Sequence, residues 1–143
     1  MMTKIAQSNL SNIFISAAFM MILSCSCAVH HKDVTLQQAK ELIGADTQLT
    51  VIDVREPNEY CDPKGHIPGS LNYPWRSGVL QKEYKQLPAD RPILVVCRSG
   101  HRSNQAAAFL RSKGFKHVYD MLGGMRSWDA RTAECADSGS EKP

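Results

Sequence analysis

The chain has 143 residues, room for one domain and a short appendage at about 100–200 residues per domain, which excludes a large multidomain machine. With 43% hydrophobic and 22% charged residues its composition is that of an ordinary globular protein and excludes a disordered or collagen-like chain. Lys and Arg outnumber Asp and Glu by 17 to 14, a surplus too small and too evenly spread to wrap nucleic acid, so any cationic chemistry is local.

Residues 1–12 carry one charge, Lys4, and residues 13–23 form an unbroken low-polarity run. About 20 apolar residues are needed to span a membrane, whereas the apolar part of a secretory signal runs about 7–15; residues 1–28 therefore read as an export signal. Two endings stay open. Ile22-Leu23-Ser24-Cys25 resembles the lipobox of bacterial lipoproteins, which makes Cys25 the candidate for lipidation and supplies a lipid anchor. The other ending is cleavage after Ala28, with Ser26 and Ala28 as the small residues flanking the cut. Both place the product in the cell envelope, either periplasmic or anchored as a lipoprotein. His30 and His31 have no third ligand nearby and read as solvated linker rather than as a metal site. Residues 136–143 hold no large apolar side chain and read as a flexible tail, which leaves 32–135 as the folding unit.

Within that unit, Leu36, Ala39, Leu42 and Ile43 fall on one helical face, with Thr35 as cap and Gly44 as stop. Residues 50–54, a β-branched run ending in Arg55-Glu56-Pro57, read as a buried strand that delivers polar residues at its carboxyl end. Residues 70–73 predict a second strand and 79–87 a helix. Ile93-Leu94-Val95-Val96 is wholly apolar and predicts the central strand. A helix follows over 103–113, with Gly114 as its cap, and Val118-Tyr119 form a last short strand. Alternation of this kind predicts an α/β fold: an open, mostly parallel sheet with helices on both faces and its chemistry beyond the strand carboxyl ends.

Cys97 sits where the central strand ends and a helix begins. Loops entering helices aim unpaired N–H groups into a small volume, and the helix dipole adds to them. A sulfur held there is favoured as the nucleophilic thiolate. Gly100 permits the tight loop, and Arg98, His101 and Arg102 add positive charge suited to drawing an anionic substrate onto the sulfur.

Cys97-Arg98-Ser99-Gly100-His101-Arg102 resembles the catalytic loop of the single-domain rhodaneses. Three further blocks, 51–60, 65–70 and 123–128, match that family in the same order, so the resemblance covers most of residues 50–128. It implies a rhodanese-like sheet and a sulfurtransferase of the thiosulfate sulfurtransferase type, with no metal or organic cofactor. Cys97 would attack thiosulfate or another sulfane-sulfur donor, keep the outer sulfur as a persulfide, and pass it to a thiol, cyanide or protein acceptor. The resemblance places Arg98, Ser99, Gly100, His101, Arg102 and Ser103 in the substrate loop, with Arg98 and Arg102 holding the anionic donor. Asp53 and Arg55 would brace the loop, His66 would order the neighbouring turn, and Trp128 would close the wall; an ordinary ion pair is the alternative for Asp53 and Arg55. Fold-sharing phosphatases and arsenate reductases place one more residue between Cys and Arg, a wider cradle than the four residues 98–101 provide.

Cys61 departs from the family pattern. A small core residue is the default reading, with a resolving thiol or a bridge to Cys135 as alternatives. Two other functions compete with the enzyme: a binding or sulfur-carrier module acting with a protein partner, and a thiol-disulfide protein, which the absence of a Cys-x-x-Cys in the body weakens.

Overall fold

The structure, a computed structural model, describes residues 32–135. Residues 1–28, read above as an export signal, with Cys25, the pair His30 and His31, and residues 136–143 lie outside the described residues.

In chain order the elements are β1 (Lys32–Val34), α1 (Leu36–Ala45), β2 (Thr50–Asp53), α2 (Pro57–Tyr60), β3 (Leu71–Asn72), α3 (Val79–Glu83), a 3₁₀ turn at Tyr84–Gln86, β4 (Ile93–Val96), α4 (His101–Ser112), β5 (Val118–Met121) and a second 3₁₀ turn at Gly124–Arg126. The strands form one sheet in the order β1-β5-β4-β2-β3, and every pairing is parallel. This is the open α/β sheet expected, with β4 at its centre.

Alternation along the strands divides the core into two layers. Ile52, Val54, Ile93, Val95 and Val118 pack with Leu80 of α3 and Ala106, Ala107 and Leu110 of α4. Val51, Leu94, Val96 and Met121 pack on the opposite face with Ala39 and the flanking Leu42 and Ile43 of α1. All four side chains of β4 are buried, each contributing about 1.5–3 kcal/mol of transfer free energy. Cys97 continues the β4 alternation on the α4 side, which puts its sulfur beneath the start of that helix.

Helix α1 starts as read: Thr35 Oγ1 accepts the Gln38 N–H and Gln38 Oε1 accepts the Thr35 N–H at 2.9 Å, a capping box. Gly44 does not stop it, because α1 runs to Ala45. The stop is Asp46, which turns extended while its Oδ1 accepts the Gln48 N–H at 2.8 Å. The helix expected over 79–87 breaks after Glu83 into the 3₁₀ turn, ahead of Pro88, which disfavours helix in the residue before it. Helix α4 begins two residues early, its first backbone bond running from the Asn104 N–H to the Gly100 carbonyl at 3.1 Å. It ends at a Schellman turn: the Phe115 N–H reaches the Leu110 carbonyl and the Gly114 N–H the Arg111 carbonyl. The sequence reading missed β1 and α2. Only Val34 of β1 is buried, and α2 is a four-residue turn, so neither has enough length to show a period.

Candidate active site

The Cys97 loop leaves the central strand and enters α4 under restraints from three sides. Gly100, at φ 97°, turns the chain into the helix and donates its N–H to Cys97 Sγ at 3.1 Å. Ser103 Oγ donates back to the Gly100 carbonyl at 3.0 Å. The N–H groups of residues 101–103 precede the first backbone bond of α4, so they face the loop at the positive end of a helix of 12 residues. Cys97 is a free thiol and only 1% exposed, so the sulfur lies in the lining of an amide cradle.

The second 3₁₀ turn closes over the loop from behind. The Met125 N–H donates to the Cys97 carbonyl at 2.7 Å and the Arg126 N–H to the Arg98 carbonyl at 3.0 Å. Gly124, at φ 57°, makes this approach, and a Cβ there would lie 2.7 Å from the Arg98 carbonyl carbon and the Ser99 nitrogen. The Gly123-Gly124 pair is thus part of the loop's mould.

The carboxyl end of β2 braces the front. The buried Arg55 Nε donates to both Asp53 carboxylate oxygens, at 2.9 and 3.1 Å, and Nη2 lies 2.8 Å from Oδ2. The rest of the guanidinium spans loops: Nη1 donates to the Glu59 carbonyl at 2.7 Å and Nη2 to the Gly65 carbonyl at 3.0 Å. This ion pair is a structural hub joining β2, α2 and the turn at residue 65. Asn72 adds to it by donating to the Asp53 and Arg55 carbonyls. His66 stacks on Tyr60 with ring centroids 3.8 Å apart and holds Ala133 through paired backbone bonds.

The two loop arginines have different surroundings. Arg102 is buried, and its Nη1 and Nη2 donate to the two carboxylate oxygens of Glu59 at 2.5 and 2.7 Å. Each terminal nitrogen thus gives one bond that anchors the loop against α2. The Arg102 hydrogen bonds draw the Glu59 carboxyl from 4.5 to about 2, against the opposing push of burial, and the same bonds hold the Arg102 guanidinium above its ordinary value. Arg98 is exposed and lines a cavity of about 660 Å³ beside the loop, with Lys64, Met125, Arg126 and Trp128 on its walls. Ser99 and His101 are exposed on the loop.

Glu59 lies inside one of the blocks shared with the family, but sequence reasoning misses it as a site residue, because a lone carboxylate has no spacing signature pointing to an arginine 43 positions away. The reading of Cys61 as a core residue is corrected. Cys61 is exposed and disulfide-bonded to Cys135, because α2 ends with it facing the returning chain at 132–135 rather than the sheet.

Residues 35–131 match the family described as Rhodanese-like domain. The thiosulfate sulfurtransferase GlpE of Pseudoalteromonas translucida (strain TAC 125) is 36% identical over 106 residues, spanning 72% of this chain and 93% of that protein. YrkF of Bacillus subtilis (strain 168), provisionally named a sulfur carrier protein, is 36% identical over 100 residues, or 70% of this chain. The chain spans 52% of that relative's length. A rhodanese-related protein from Thermoplasma volcanium has the same fold, with a TM-score of 0.59 at 34% identity over 68% of this chain and 90% of that one.

Proposed function

We propose, from the premise that this chain belongs to the rhodanese-like domain family, that it is an exported sulfurtransferase carrying sulfane sulfur on Cys97. The observation that carries the reading is the free Cys97 sulfur accepting the Gly100 N–H within the amide cradle at the start of α4.

The Cys97 thiolate attacks the outer sulfur of thiosulfate; the new S–S bond forms as the old one breaks, and sulfite departs with its electron pair. The persulfide left on Cys97 has its terminal charge beside the loop amides, which are fixed before the reaction and need no reorganisation. An acceptor thiolate or cyanide then takes the terminal sulfur and returns Cys97 to thiolate. Arg98, exposed at the cavity, collects the anionic donor, while Arg102 holds the loop in shape through Glu59.

The Cys61–Cys135 disulfide supports an envelope location, since disulfides persist in oxidising compartments. Soluble periplasmic protein and Cys25-anchored lipoprotein are separated by the mass of the mature N-terminus. A second reading, a sulfur-carrier module serving a protein partner, draws support from the name of the B. subtilis relative.

Intact mass of the purified chain after thiosulfate, and again after cyanide, tests the proposal. We expect a gain of one sulfur atom that cyanide removes as thiocyanate, with no gain in Cys97→Ser, whose hydroxyl neither attacks nor stores sulfur. Sulfur loading in the serine variant overturns the mechanism. No gain on folded wild type with a free Cys97 favours the carrier module.

A further inference from the structure

One wall of the cavity beside the Cys97 loop comes from the chain after the last 3₁₀ turn: Trp128, Asp129, Ala130 and Thr132. Beyond residue 128 this segment adds no further helix or strand among the described residues, apart from an isolated bridge in which the His66 N–H donates to the Ala133 carbonyl at 2.9 Å and the Ala133 N–H to the His66 carbonyl at 2.8 Å. Two residues later Cys135 is bonded to Cys61, across 74 residues of sequence. Cys61 itself leads into Asp62, Pro63 and Lys64 on the facing wall. The disulfide thus joins the two walls at their base.

Its exposure differs from that of the site thiol. Cys61 is exposed and Cys135 half-buried, while Cys97 is 1% exposed, so a dithiol reaches the disulfide more readily than the Cys97 sulfur.

We propose that the Cys61–Cys135 disulfide is a redox-sensitive fastening of the cavity wall: oxidised, it fixes the wall that a large sulfur acceptor touches; reduced, it releases residues 129–135. In the reducing step one thiolate of a dithiol attacks the Cys61 sulfur, Cys135 leaves as a thiol, and the second thiol of the reductant displaces Cys61. Two electrons and two protons pass to the cysteine pair, and the dithiol becomes a disulfide. The ties that remain are the two-residue bridge, the exposed ion pair of Asp129 with Lys40 and the bond from Trp128 Nε1 to the Arg131 carbonyl, and on these alone the wall frays as terminal segments do. Cyanide, a two-atom acceptor, does not depend on the wall; an acceptor large enough to fill the cavity does. The acceptor half of the proposal rests on the sulfur-transfer reading above.

The test uses the full chain with Cys97 preloaded from thiosulfate. Single-turnover discharge to cyanide and to glutathione, a tripeptide thiol, is compared in wild type and in Cys61→Ser/Cys135→Ser, within a time short against disulfide exchange. Amide hydrogen exchange is recorded on both proteins and on wild type reduced by dithiothreitol. We expect discharge to cyanide within twofold of wild type and discharge to glutathione slowed at least fivefold. The amides of His66 and Ala133 should exchange at least tenfold faster without the disulfide, with those of α4 unchanged. Equal slowing for both acceptors, or for neither, overturns the acceptor half. Unchanged exchange at His66 and Ala133 overturns the fastening itself. If neither protein loads sulfur, the sulfur-transfer reading fails with the acceptor half, and exchange in reduced wild type still decides the fastening, as it does if the double variant does not fold.

Discussion

Glu59 and Arg102 lie 43 residues apart in sequence and meet as a bidentate pair, each carboxylate oxygen taking one guanidinium nitrogen. The pair joins α2 to the first turn of α4. It does for the front of the Cys97 loop what the Gly124 turn does for the back: it removes the loop's freedom to open. Its geometry is the planar fork that lysine cannot reproduce.

Glu59→Gln is expected to lower stability at neutral pH by about 1–2 kcal/mol, less than the roughly 3–5 of a wholly buried pair because water reaches the carboxylate. The sign with pH follows from the depressed carboxyl. Its contribution is complete above the ordinary 4.5 and is lost as pH falls through about 2. Urea denaturation of both proteins across pH 7 to 2.5 should therefore show the gap narrowing below 4.5. Sulfur loading from thiosulfate should fall about tenfold or more at pH 7, since a displaced loop misplaces its amides. A constant stability gap down to pH 2.5 would show that the pair is not what holds α2 to α4.

Legibility from sequence depended on length and on locality. β4 and α4 were readable because four consecutive apolar residues and a run of small and aromatic residues at helical spacing are local signals, and the Cys97 loop lies between them. The shared blocks also pointed to the neighbourhood of Arg55, Gly124 and Trp128. The long-range pairings were less legible. Glu59 with Arg102 and Cys61 with Cys135 are contacts across 43 and 74 residues; the first has no local signal, and the second stood only as one alternative to a core cysteine, because two cysteines in a string do not by themselves show that their chains meet. Arg98 and Arg102 look equivalent in the string; only the fold turns one outward and buries the other.

Asp120 carries the opposite sign. It is 1% exposed on β5, its Oδ1 has no hydrogen-bond partner, and Asp33 is its register neighbour on β1. Burial pushes its carboxyl up, with Ser103 and Asn104 pulling down and Asp33 adding to the rise. Below the ordinary 3.8 both folded and unfolded chains are protonated and the site costs nothing. As pH rises from 3.8 towards the raised folded value the unfolded chain ionises first, so stability falls across that window, and above the folded value the full cost of the buried charge is in place. Asp120→Asn should raise stability at pH 7 by roughly 1 kcal/mol, with the gain disappearing near pH 3.5. Denaturation midpoints at the two pH values check this, and a loss at pH 7 would show that the ionised carboxylate is required by α4.

Removing the disulfide should also register globally. Closing a loop of 74 residues restricts the unfolded chain, so Cys61→Ser/Cys135→Ser is expected to lose about 2–4 kcal/mol, read as a lower denaturation midpoint. Because Cys97 and its loop make no contact through this bridge, persulfide formation from thiosulfate well below the melting temperature should remain within twofold of wild type. A large loss of loading in protein that is still folded would place the disulfide in the loop's own support.

Two glycines give a paired test of how the site is moulded. Gly124 sits at φ 57° against the loop backbone, where a Cβ would lie 2.7 Å from Arg98 and Ser99 atoms. Gly44 lies inside α1 with nothing within 4 Å of an added Cβ. Gly124→Ala combines a left-handed conformation with a backbone clash, so it should cost roughly 2–4 kcal/mol and nearly abolish sulfur loading, since only movement of the Cys97 loop can relieve the contact. Gly44→Ala should instead stabilise by about 0.5–1 kcal/mol through helix propensity and leave loading unchanged. Thermal denaturation and the mass of the thiosulfate-treated chain read both outcomes. Full sulfur loading in folded Gly124→Ala would mean that the second 3₁₀ turn covers the loop without shaping it.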